Sequence, residues 1–435
     1  MKLNWTGFSK KTPAERLEFL KEKELIDHEH WQQLAEQQTL SLETADQMSE
    51  NVLGTLALPY SIAPDFLVDG KLYQVPFVTE EPSVVAAASF AAKIIKRSGG
   101  FTTTVHNRQM IGQIALYDIP DVSSALHQIQ EKKANLLELA NQAYPSIVKR
   151  GGGASDLRTE LLKGETDFLV VYLLVDTQEA MGANILNTML EALKEQLELW
   201  TGGESLMAIL SNYATEALVT ASCEIDFRLL SRDKTEAEKI ARKMVLASQF
   251  AKADPYRAST HNKGIFNGID AVVLASGNDW RAIEAGAHTY AARSGSYQGL
   301  TSWTANWTNR KLQGQLTLPM PIATKGGSIG LNPTVAASFD LLNQPTAKEL
   351  ASLIVSVGLA QNFAALKALV STGIQAGHMK LQAKSLALLA GAQEQEVPLL
   401  VNRLTAEKSF NLSLAQKILK RSEEHTSELQ SLVII

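Results

Sequence analysis

The sequence predicts a multidomain protein of mixed α+β and α/β class, and three observations support this prediction. The chain has 435 residues, which at ~150 residues per domain corresponds to two or three domains. From about residue 110 strand-like and helix-like patterns alternate, whereas helical patterns dominate both ends of the chain. The alternating block, about 110 residues long, could fold alone as a small α+β sandwich.

Composition excludes several classes of protein. Lys and Arg total 41 and Asp and Glu total 46, so the net charge of −5 provides no global field for nucleic acid or an anionic membrane. The single cysteine, Cys223, excludes a disulfide framework and a four-thiolate zinc site. The spacing of His28, His30 and His261 fits no zinc template, so no metal is expected. The sequence contains neither a signal peptide nor ~18 to 20 uncharged apolar residues in a row, which predicts a cytoplasmic protein.

Helices are predicted where apolar residues recur every three to four positions. The capping box Thr12-Pro13-Ala14-Glu15 opens the first helix, and Gly99-Gly100 ends the second. After Gly373, short helices have the pattern of an appended lid. The predicted helices cover residues 13–50, 84–97, 121–142, 180–200, 235–253 and 347–370.

Strands are predicted where short apolar or alternating runs are bounded by Gly, Pro or polar residues. The first strand–helix turn of the middle block, residues 118–121, carries no G-x-G-x-x-G, which excludes a Rossmann fingerprint. The predicted strands lie within 51–78 and at 113–119, 168–175, 206–211, 217–227, 271–276 and 315–322.

The C-terminal residues 421–435 have a foreign character. Residues 421–431 correspond to the translation of a widely used sequencing-adapter oligonucleotide. We therefore exclude residues 421–435 from fold reasoning, as for an engineered scar. The alternative is an ordinary polar tail.

Two polar segments could carry chemistry near predicted helices and strands. Glu80 and Glu81 precede the helix at 84–97, where the helix dipole favours acids; alternatively, one of two adjacent carboxyls has a raised pKa and donates a proton. Arg257 and Lys263 lie in a polar segment before the predicted strand 271–276. That segment is either a solvated loop or a site where an ammonium stabilises a carbonyl oxygen and a guanidinium binds a carboxylate.

Two further residues stand where an active site could use them. Asp279 follows the predicted strand 271–276, and open α/β folds place active sites at the carboxyl ends of strands. The alternative for Asp279 is a turn residue. His378 lies on the predicted lid, where a lone histidine is more often a surface or capping residue than a catalytic one.

A serine hydrolase is a competing hypothesis. Residues 326–330 fit the G-x-S-x-G pattern with Ser328 as the nucleophile, and Asp340 and His378 follow in the order of that class. Against it, few strands precede the motif and no HGGG-type oxyanion loop is present.

Six motifs follow one another along the chain between Glu50 and Met379, within a resemblance that extends from Trp5 to about Leu419. They are Glu50-Asn51-Val52-Leu53-Gly54, Glu80-Glu81-Pro82-Ser83-Val84-Val85-Ala86-Ala87-Ala88-Ser89, Glu179-Ala180-Met181-Gly182-Ala183-Asn184, His261-Asn262-Lys263-Gly264-Ile265-Phe266-Asn267-Gly268-Ile269-Asp270, Gly277-Asn278-Asp279-Trp280-Arg281 and Gly377-His378-Met379. In their order and spacing, with Lys263 and Asp279 separated by 16 residues, the chain resembles the bacterial class II hydroxymethylglutaryl-CoA (HMG-CoA) reductases.

The resemblance implies a two-hydride reduction of HMG-CoA to mevalonate and coenzyme A through a bound mevaldehyde stage. Lys263 would stabilise the negative charge developing on the thioester oxygen. Protonated Glu81 would supply a proton to the carbonyl, and Asp279 would tie Lys263 and Glu81 into one hydrogen-bonded network. His378, on a lid that closes over substrate, would protonate the departing thiolate.

The resemblance also implies residues that bind the substrate. Ser83 and Arg257 would bind the hydroxymethylglutaryl carboxylate. Asn267 would orient the reacting carbonyl. A non-catalytic CoA-thioester binder remains an alternative, as does the same enzyme oxidising mevalonate with NAD.

The middle block would then be a small, non-Rossmann, ferredoxin-like domain for the nicotinamide cofactor. Met181, Gly182 and Asn184 would cradle the pyrophosphate near a helix start, and Asn212 would lie near the nicotinamide ribose. Glu179 replaces the Asp that is usual in the family.

Cofactor preference is predicted from one position. Tyr144 stands where NAD-preferring members carry an Asp before a Pro, so a 2′-phosphate is not repelled and NADPH is expected rather than NADH. Lys149 and Arg150 follow closely, either as partners of that phosphate or as a solvated basic turn.

The expected domains follow from the resemblance, as does a homodimer with the active site at the subunit interface. Partners other than substrate, products and cofactor are not expected; in particular, neither nucleic acid nor a membrane is. The domains are a large CoA-substrate domain in two parts (1–109 and 217–374), the cofactor domain (110–216) and a C-terminal helical flap or lid (375–420).

Overall fold

The structure is a computed structural model that describes residues 3–327, 329–371, 375–393, 395–407 and 409–420, with the backbone alone at 375–381. The chain forms two compact units. The first contains Met1–Glu80 and Val84–Ala364, and the second contains Glu81–Ser83 and the chain from Ala365 onward.

Helices cover much of the described chain, and several begin at polar caps. The capping box at α1 is confirmed: Thr12 accepts a hydrogen bond from the Glu15 amide, and the Glu15 carboxylate accepts one from the Thr12 amide. The helices are α1 (Pro13–Glu22), α2 (His28–Ala35), α3 (Leu42–Met48), α4 (Val84–Arg97), α5 (Val122–Glu131), α6 (Lys133–Ala143), α7 (Pro145–Val148), α8 (Ala183–Thr201), α9 (Lys234–Ala253), α10 (Pro255–Ala275), α11 (Trp280–Ala291), α12 (Pro333–Leu341), α13 (Ala347–Val370), α14 (Gln375–Leu389) and α15 (Val397–Ala406).

The strands form two sheets. A six-stranded sheet has the order β2-β1-β3-β8-β10-β9, in which β1 and β3 are parallel and the other neighbours antiparallel. A four-stranded antiparallel sheet has the order β5-β6-β4-β7. The strands are β1 (Tyr60–Val68), β2 (Lys71–Val78), β3 (Phe101–Val105), β4 (Gln109–Tyr117), β5 (Gly153–Leu162), β6 (Phe168–Asp176), β7 (Glu204–Ser211), β8 (Leu218–Asp226), β9 (Thr301–Asn306) and β10 (Lys311–Pro319).

The four-stranded sheet is built from one continuous stretch of chain. Its order of elements is β4, then α5 to α7, then β5, β6, α8 and β7. One sheet face packs on α5, α6 and α8 around a shared apolar core. Along β6, residues 169, 171, 173 and 175 alternate into that core, as the two-residue period of a strand requires. This sheet therefore has its own hydrophobic core.

The predicted strand at 271–276 is wrong, because residues Pro255–Ala275 form the single helix α10. The Asp254 side chain caps the helix and Pro255 occupies its first turn. Burial along α10 repeats with a helical period, and Ile265 and Ile269 lie against Gly358 of α13. A short apolar run in a buried helix has the same appearance as a buried strand, which explains the error.

Other predicted boundaries also need correction. The helix predicted over 13–50 is three short helices, and that predicted over 121–142 is interrupted at Lys132. Strands β3, β5 and β9 were not predicted. By contrast, helix α4 has the predicted bounds and ends before Gly99-Gly100, which both adopt positive φ.

Helix α13 is apolar and long enough to cross a membrane by length and composition. In its most apolar window, 72% is buried inside the protein, as in the core helix of a globular unit. In the second unit, α14 and α15 pack with the helical residues 412–420 around a separate apolar cluster.

Candidate active site

Helix α10 carries three polar residues along one face. Lys263, Asn267 and Asp270 are spaced i, i+4 and i+7, so their side chains leave the helix on the same side. Lys263 is exposed, whereas Asn267 and Asp270 are half-buried. The helix therefore presents an ammonium and an amide one turn apart, where they could act on a single carbonyl group.

Two buried residues hold α10 in place. The Asn262 amide donates to the carbonyl of Gln298 and its side-chain oxygen accepts the Leu300 amide. His261 Nε2 lies 2.6 Å from Thr301 Oγ1. Burial, with the nearby positive charges of Arg257 and Lys252, lowers the pKa of His261 to about 3, so its ring is neutral and structural.

Arg257 lies on another side of the same helix. It precedes Lys263 by six residues, which at 100° per residue places the two about 120° apart around α10. Partial burial lowers the pKa of Arg257, although an arginine remains charged at neutral pH. The helix thus does not bring Arg257 and Lys263 onto one face.

Asp279 is the N-cap of α11, and not the end of a strand as predicted. Its Oδ1 accepts hydrogen bonds from the amides of Arg281 and Ala282 and from Arg281 Nε at 3.2 Å. Partial burial raises the pKa of Asp279, but these hydrogen bonds and the Arg281 charge outweigh it, so the pKa lies below its ordinary value. Asp279 is therefore an ionised cap at the start of a helix.

A carboxyl pair that sequence reasoning missed links α10 to α11. Asp270 lies within hydrogen-bonding reach of Glu284, and a bond between two carboxyls requires one of them to be protonated. Burial, followed by the Glu284 charge, raises the pKa of Asp270 to about 8. The i+7 position of Asp270 relative to Lys263 was the available signal, but Glu284 could be paired with it only in three dimensions.

The short segment before α4 is conformationally unusual. Ser83 has a φ of +76°, in the left-handed region that residues other than glycine rarely adopt. Such strain persists only where the surrounding structure imposes it, and it concentrates at functional sites. Glu81, two residues earlier, is half-buried.

The loop between β6 and α8 ends in a tight glycine turn at the start of a helix. Gly182 caps α8 with a φ of +99°, and a Cβ there would lie 2.2 Å from Thr177. Half-buried Met181 precedes it, and Asn184 is exposed in the first turn of α8. The free amides of a helix N-terminus attract phosphate groups, so the loop fits a pyrophosphate.

The Glu179 side chain in this loop makes hydrogen bonds within the protein. Its carboxylate accepts hydrogen bonds from the Thr324 hydroxyl and, at 2.8 Å, from the amide of Ala347, the first residue of α13. The carbonyl of Glu179 accepts the Thr324 and Lys325 amides. The side chain therefore anchors the loop to the chain after β10.

A basic turn lies beside the same loop. Gln178 Nε2 donates to the carbonyl of Gly151 at 3.2 Å, so the turn that follows Tyr144 is next to the end of β6. Lys149 and Arg150 are exposed in that turn. The two basic side chains are thus available to a ligand seated on the loop.

Asn212 follows β7 and lies against α11. Its carbonyl oxygen would be 2.5 Å from a Cβ at Gly286, so only glycine fits there. The end of the four-stranded sheet consequently meets the helix that Asp279 caps.

A groove of about 910 Å³ was not predicted from the sequence. It lies between the N-terminal segment, β1 and α4, and it is mainly apolar. Its walls include Trp5, Tyr60, Val85, Ser89 and Lys93. Its mainly apolar walls and the charged Lys93 suit an apolar ligand with a negatively charged end.

Asp340, the acid of the serine-hydrolase hypothesis, makes structural contacts elsewhere. Asp340 Oδ2 lies 2.5 Å from His30 Nδ1 and also accepts the amide of Asp27, so this carboxylate joins α12 to α2. Asp27, His30 and Asp340 lie close enough together to hold a metal ion. The hydrogen bonds that Asp340 accepts between α12 and α2 already explain why they are close. Ser328 and the His378 side chain lie outside the described residues, although the backbone places residue 378 on α14.

Curated proteins of one family match almost the whole chain. The family model for hydroxymethylglutaryl-coenzyme A reductase matches residues 12–383. The 3-hydroxy-3-methylglutaryl-coenzyme A reductase of Archaeoglobus fulgidus is 42% identical over 416 residues, which cover 95% of this chain and 94% of that protein. A probable reductase of the same name from Borreliella burgdorferi is 35% identical and covers 86% of each chain.

Solved structures agree. The 3-hydroxy-3-methylglutaryl-coenzyme A reductase of Streptococcus pneumoniae is 66% identical, with a TM-score of 0.85 over 96% of this chain and 100% of that chain. A second structure from that organism, described as class II and bound to NADPH in open conformations, has a TM-score of 0.84 over 85% of this chain and 100% of that chain. The resemblance inferred from the six motifs is thereby confirmed, and this chain belongs to the hydroxymethylglutaryl-coenzyme A reductase family of oxidoreductases.

Proposed function

We propose that this enzyme reduces HMG-CoA to mevalonate and coenzyme A with two NADPH. The observation that carries the proposal is the placement of Lys263 and Asn267 one turn apart on the open face of α10. An ammonium beside an amide donor suits a carbonyl oxygen that gains negative charge. Bound NADPH supplies the hydrides.

The protein's own residues hold the substrate and manage charge and protons. Lys263 stabilises the oxyanion and Asn267 orients the carbonyl. Glu81 donates a proton to the carbonyl oxygen in the aldehyde step. Asp279 links Lys263 and Glu81 in one hydrogen-bonded network.

The remaining roles concern the two ends of the substrate. Ser83 and Arg257 bind the hydroxymethylglutaryl carboxylate. His378, on α14, protonates the thiolate of departing coenzyme A, which is a role for a lid that closes over substrate. The apolar groove along α4 accommodates the pantetheine arm, with Lys93 facing its phosphates.

The four-stranded sheet is proposed as the cofactor domain, at 110–216, inserted between the two parts of a large domain at 1–109 and 217–374. Its order of elements and its strand order are those of a ferredoxin-like unit, which supports this assignment. Residues 375–420 then form the lid.

The pyrophosphate of NADPH fits the loop before α8. Gly182 forms the tight turn before α8, where its positive φ and its packing against Thr177 require glycine, and the amides at the start of α8 would face the anion. Met181 and Asn184 line the loop, and Asn212 lies at the nicotinamide-ribose end. Glu179 contributes indirectly, through its anchoring contacts.

NADPH is the proposed cofactor rather than NADH. Tyr144 introduces no carboxylate that would repel a 2′-phosphate, and Lys149 and Arg150 are exposed in the turn beside Gln178. The NADPH-bound structure of the Streptococcus pneumoniae relative supports this preference.

A homodimer is proposed because one extended apolar segment is uncovered. Leu53 is 100% and Leu56 90% exposed in the stretch between α3 and β1. Exposed apolar stretches of this kind mark interaction sites. A cytoplasmic location is proposed as well, since α13, the apolar helix, is a core helix.

The decisive experiment follows the nicotinamide absorbance of purified protein with HMG-CoA and NADPH, with NADH in parallel. Oxidation of two NADPH per coenzyme A released is expected. Binding of HMG-CoA without oxidation would indicate a non-catalytic thioester binder. Faster turnover with mevalonate, coenzyme A and NAD would indicate the oxidising direction.

A further inference from the structure

One half-buried arginine, Arg108, joins the proposed cofactor loop to another part of the fold. Arg108 lies between β3 and β4, where the chain passes from the six-stranded to the four-stranded sheet. Its Nε donates to the carbonyl of Gln178 at 2.6 Å, and its Nη2 donates to the carbonyls of Ala180 and Ile322. A single guanidinium therefore bridges two segments that are far apart in sequence.

The acceptors of Arg108 identify what is being positioned. Gln178 and Ala180 are four and two residues before Gly182, within the loop proposed to hold the pyrophosphate. Ile322 lies shortly after β10, which is a strand of the six-stranded sheet. Each bond goes to a backbone carbonyl, so Arg108 constrains the path of the loop itself and does not depend on its side chains.

Glu179 anchors the same loop from its other side. The Glu179 carbonyl accepts the amide of Thr324 at 2.9 Å, and its carboxylate accepts the Thr324 hydroxyl and the first amide of α13. The negative carboxylate at a helix N-terminus is favoured by the helix dipole. Arg108 and Glu179 therefore fasten three consecutive loop residues, 178 to 180, to the segment at 322–325 and to α13.

We propose that Arg108 is a positioning residue for the nicotinamide cofactor: it clamps residues 178–180 so that the Gly182 turn and the start of α8 face the pyrophosphate. This inference rests on the proposed function, since it requires the loop to bind NADPH. Arg108 touches neither substrate nor cofactor in this role.

The chemistry of the clamp requires an arginine. The planar guanidinium points several donors in fixed directions, whereas a lysine ammonium is a compact point charge on a flexible chain. Loss of the clamp removes the guanidinium donor from the carbonyls of Gln178 and Ile322, leaves the Ala180 carbonyl with the Thr177 hydroxyl alone, and allows the loop to move. Both effects weaken NADPH binding while the acyl-CoA groove along α4, which lies elsewhere, is unchanged.

The test compares Arg108→Gln, Arg108→Lys and Thr324→Val with the matched control Arg158→Gln. Arg158 is an exposed arginine on β5 in the same sheet, with its guanidinium over the Tyr172 ring. NADPH alone and HMG-CoA alone are titrated against each full-length protein, and KM is measured for both ligands. Thr324→Val is the milder variant, and it loosens the Glu179 anchor without removing a charge.

We expect the Kd and KM for NADPH to rise about tenfold or more in Arg108→Gln, since a charge-assisted hydrogen bond is worth about one to two powers of ten. Arg108→Lys and Thr324→Val should show smaller increases, with HMG-CoA affinity and Arg158→Gln unchanged. Equal weakening of both ligands, or unchanged NADPH affinity in every variant, would overturn the inference. Failure of the wild-type protein to bind NADPH would instead refute the proposed function, and the inference with it.

Discussion

The carboxyls of Asp270 and Glu284 lie within hydrogen-bonding reach of each other across helices α10 and α11, and Asp270 Oδ1 is a buried atom without a hydrogen-bond partner among the described residues. Two carboxyls can form such a bond only when one carries a proton. The pair thereby joins the helix of Lys263 to the helix that Asp279 caps. The two helices are thus linked by a carboxyl pair in which burial raises the pKa of Asp270 to about 8.

The carboxyl pair predicts a pH-dependent stability. Burial raises the pKa of Asp270 from 3.8 to about 8, so between these values the folded protein keeps a proton that the unfolded chain releases. The free energy of unfolding contributed by Asp270 therefore falls as pH rises through this window and is lost above about pH 8. Asp270→Asn keeps a donor to Glu284 and should remove this slope.

Urea unfolding at pH 5 through 9 checks the prediction. Relative to wild type, Asp270→Asn should gain stability as pH rises, whereas Asp167→Asn, at an exposed position, should follow the wild type. Parallel curves for wild type and Asp270→Asn would show that the pair does not share a proton.

Gly182→Ala should impair the cofactor loop. The positive φ of +99° and the 2.2 Å approach to Thr177 leave no room for a methyl group. We expect a loss of about 1–3 kcal/mol of stability and a marked rise in the KM for NADPH. Gly164→Ala is the control, because its Cβ would meet an ordinary contact at 3.5 Å. Thermal unfolding measures the loss of stability, and kinetics with varied NADPH measure the KM. A KM for NADPH equal to that of the wild type would contradict the proposal that this loop binds the cofactor.

Lys263→Ala should remove the reaction without removing the fold. Lys263 is exposed on α10, so truncation leaves no cavity. The loss of oxyanion stabilisation should lower kcat by about 10²–10³-fold, with NADPH affinity unchanged. Lys239→Ala, at an exposed lysine paired with Glu236 on α9, should retain wild-type turnover. Near-normal kcat in Lys263→Ala would exclude its proposed role.

The basic turn should determine the choice between NADPH and NADH. Replacing Lys149 and Arg150 together by Gln removes two charges near the proposed 2′-phosphate. The ratio of kcat/KM for NADPH over NADH should fall about tenfold or more, while the value for NADH stays constant. Lys163→Gln, at an exposed lysine directly after β5, is the control. An unchanged ratio would mean that the turn is merely solvated.

Charge placed in the uncovered apolar segment should separate subunits. Leu53→Asp and Leu56→Asp introduce carboxylates at leucines that are 100% and 90% exposed. Burying these charges in an interface is costly, so sedimentation should show monomers. Leu199→Asp, at a leucine 77% exposed on α8, should leave the assembly intact. A dimer that survives all three changes would place the interface elsewhere.

The sequence by itself determined the family, the limits of α4 and the residues of the six motifs. Local signals were sufficient for these features: a capping box, a Gly-Gly stop and motif spacing act within a few residues along the chain. The absence of G-x-G-x-x-G likewise indicated correctly that the four-stranded sheet is not a Rossmann fold.

Tertiary structure decided which of those residues meet. The apolar run at the end of α10 is recognised as helical from the folded structure, in which burial follows the helical period. The same period places Arg257 on a different face of the helix from Lys263. The pairing of Asp270 with Glu284, the three carbonyls around Arg108 and the engagement of Glu179 with α13 all depend on chain crossings. Hydrogen bonds between distant segments leave no periodic trace in a single sequence, because their partners are chosen by packing and not by local propensity.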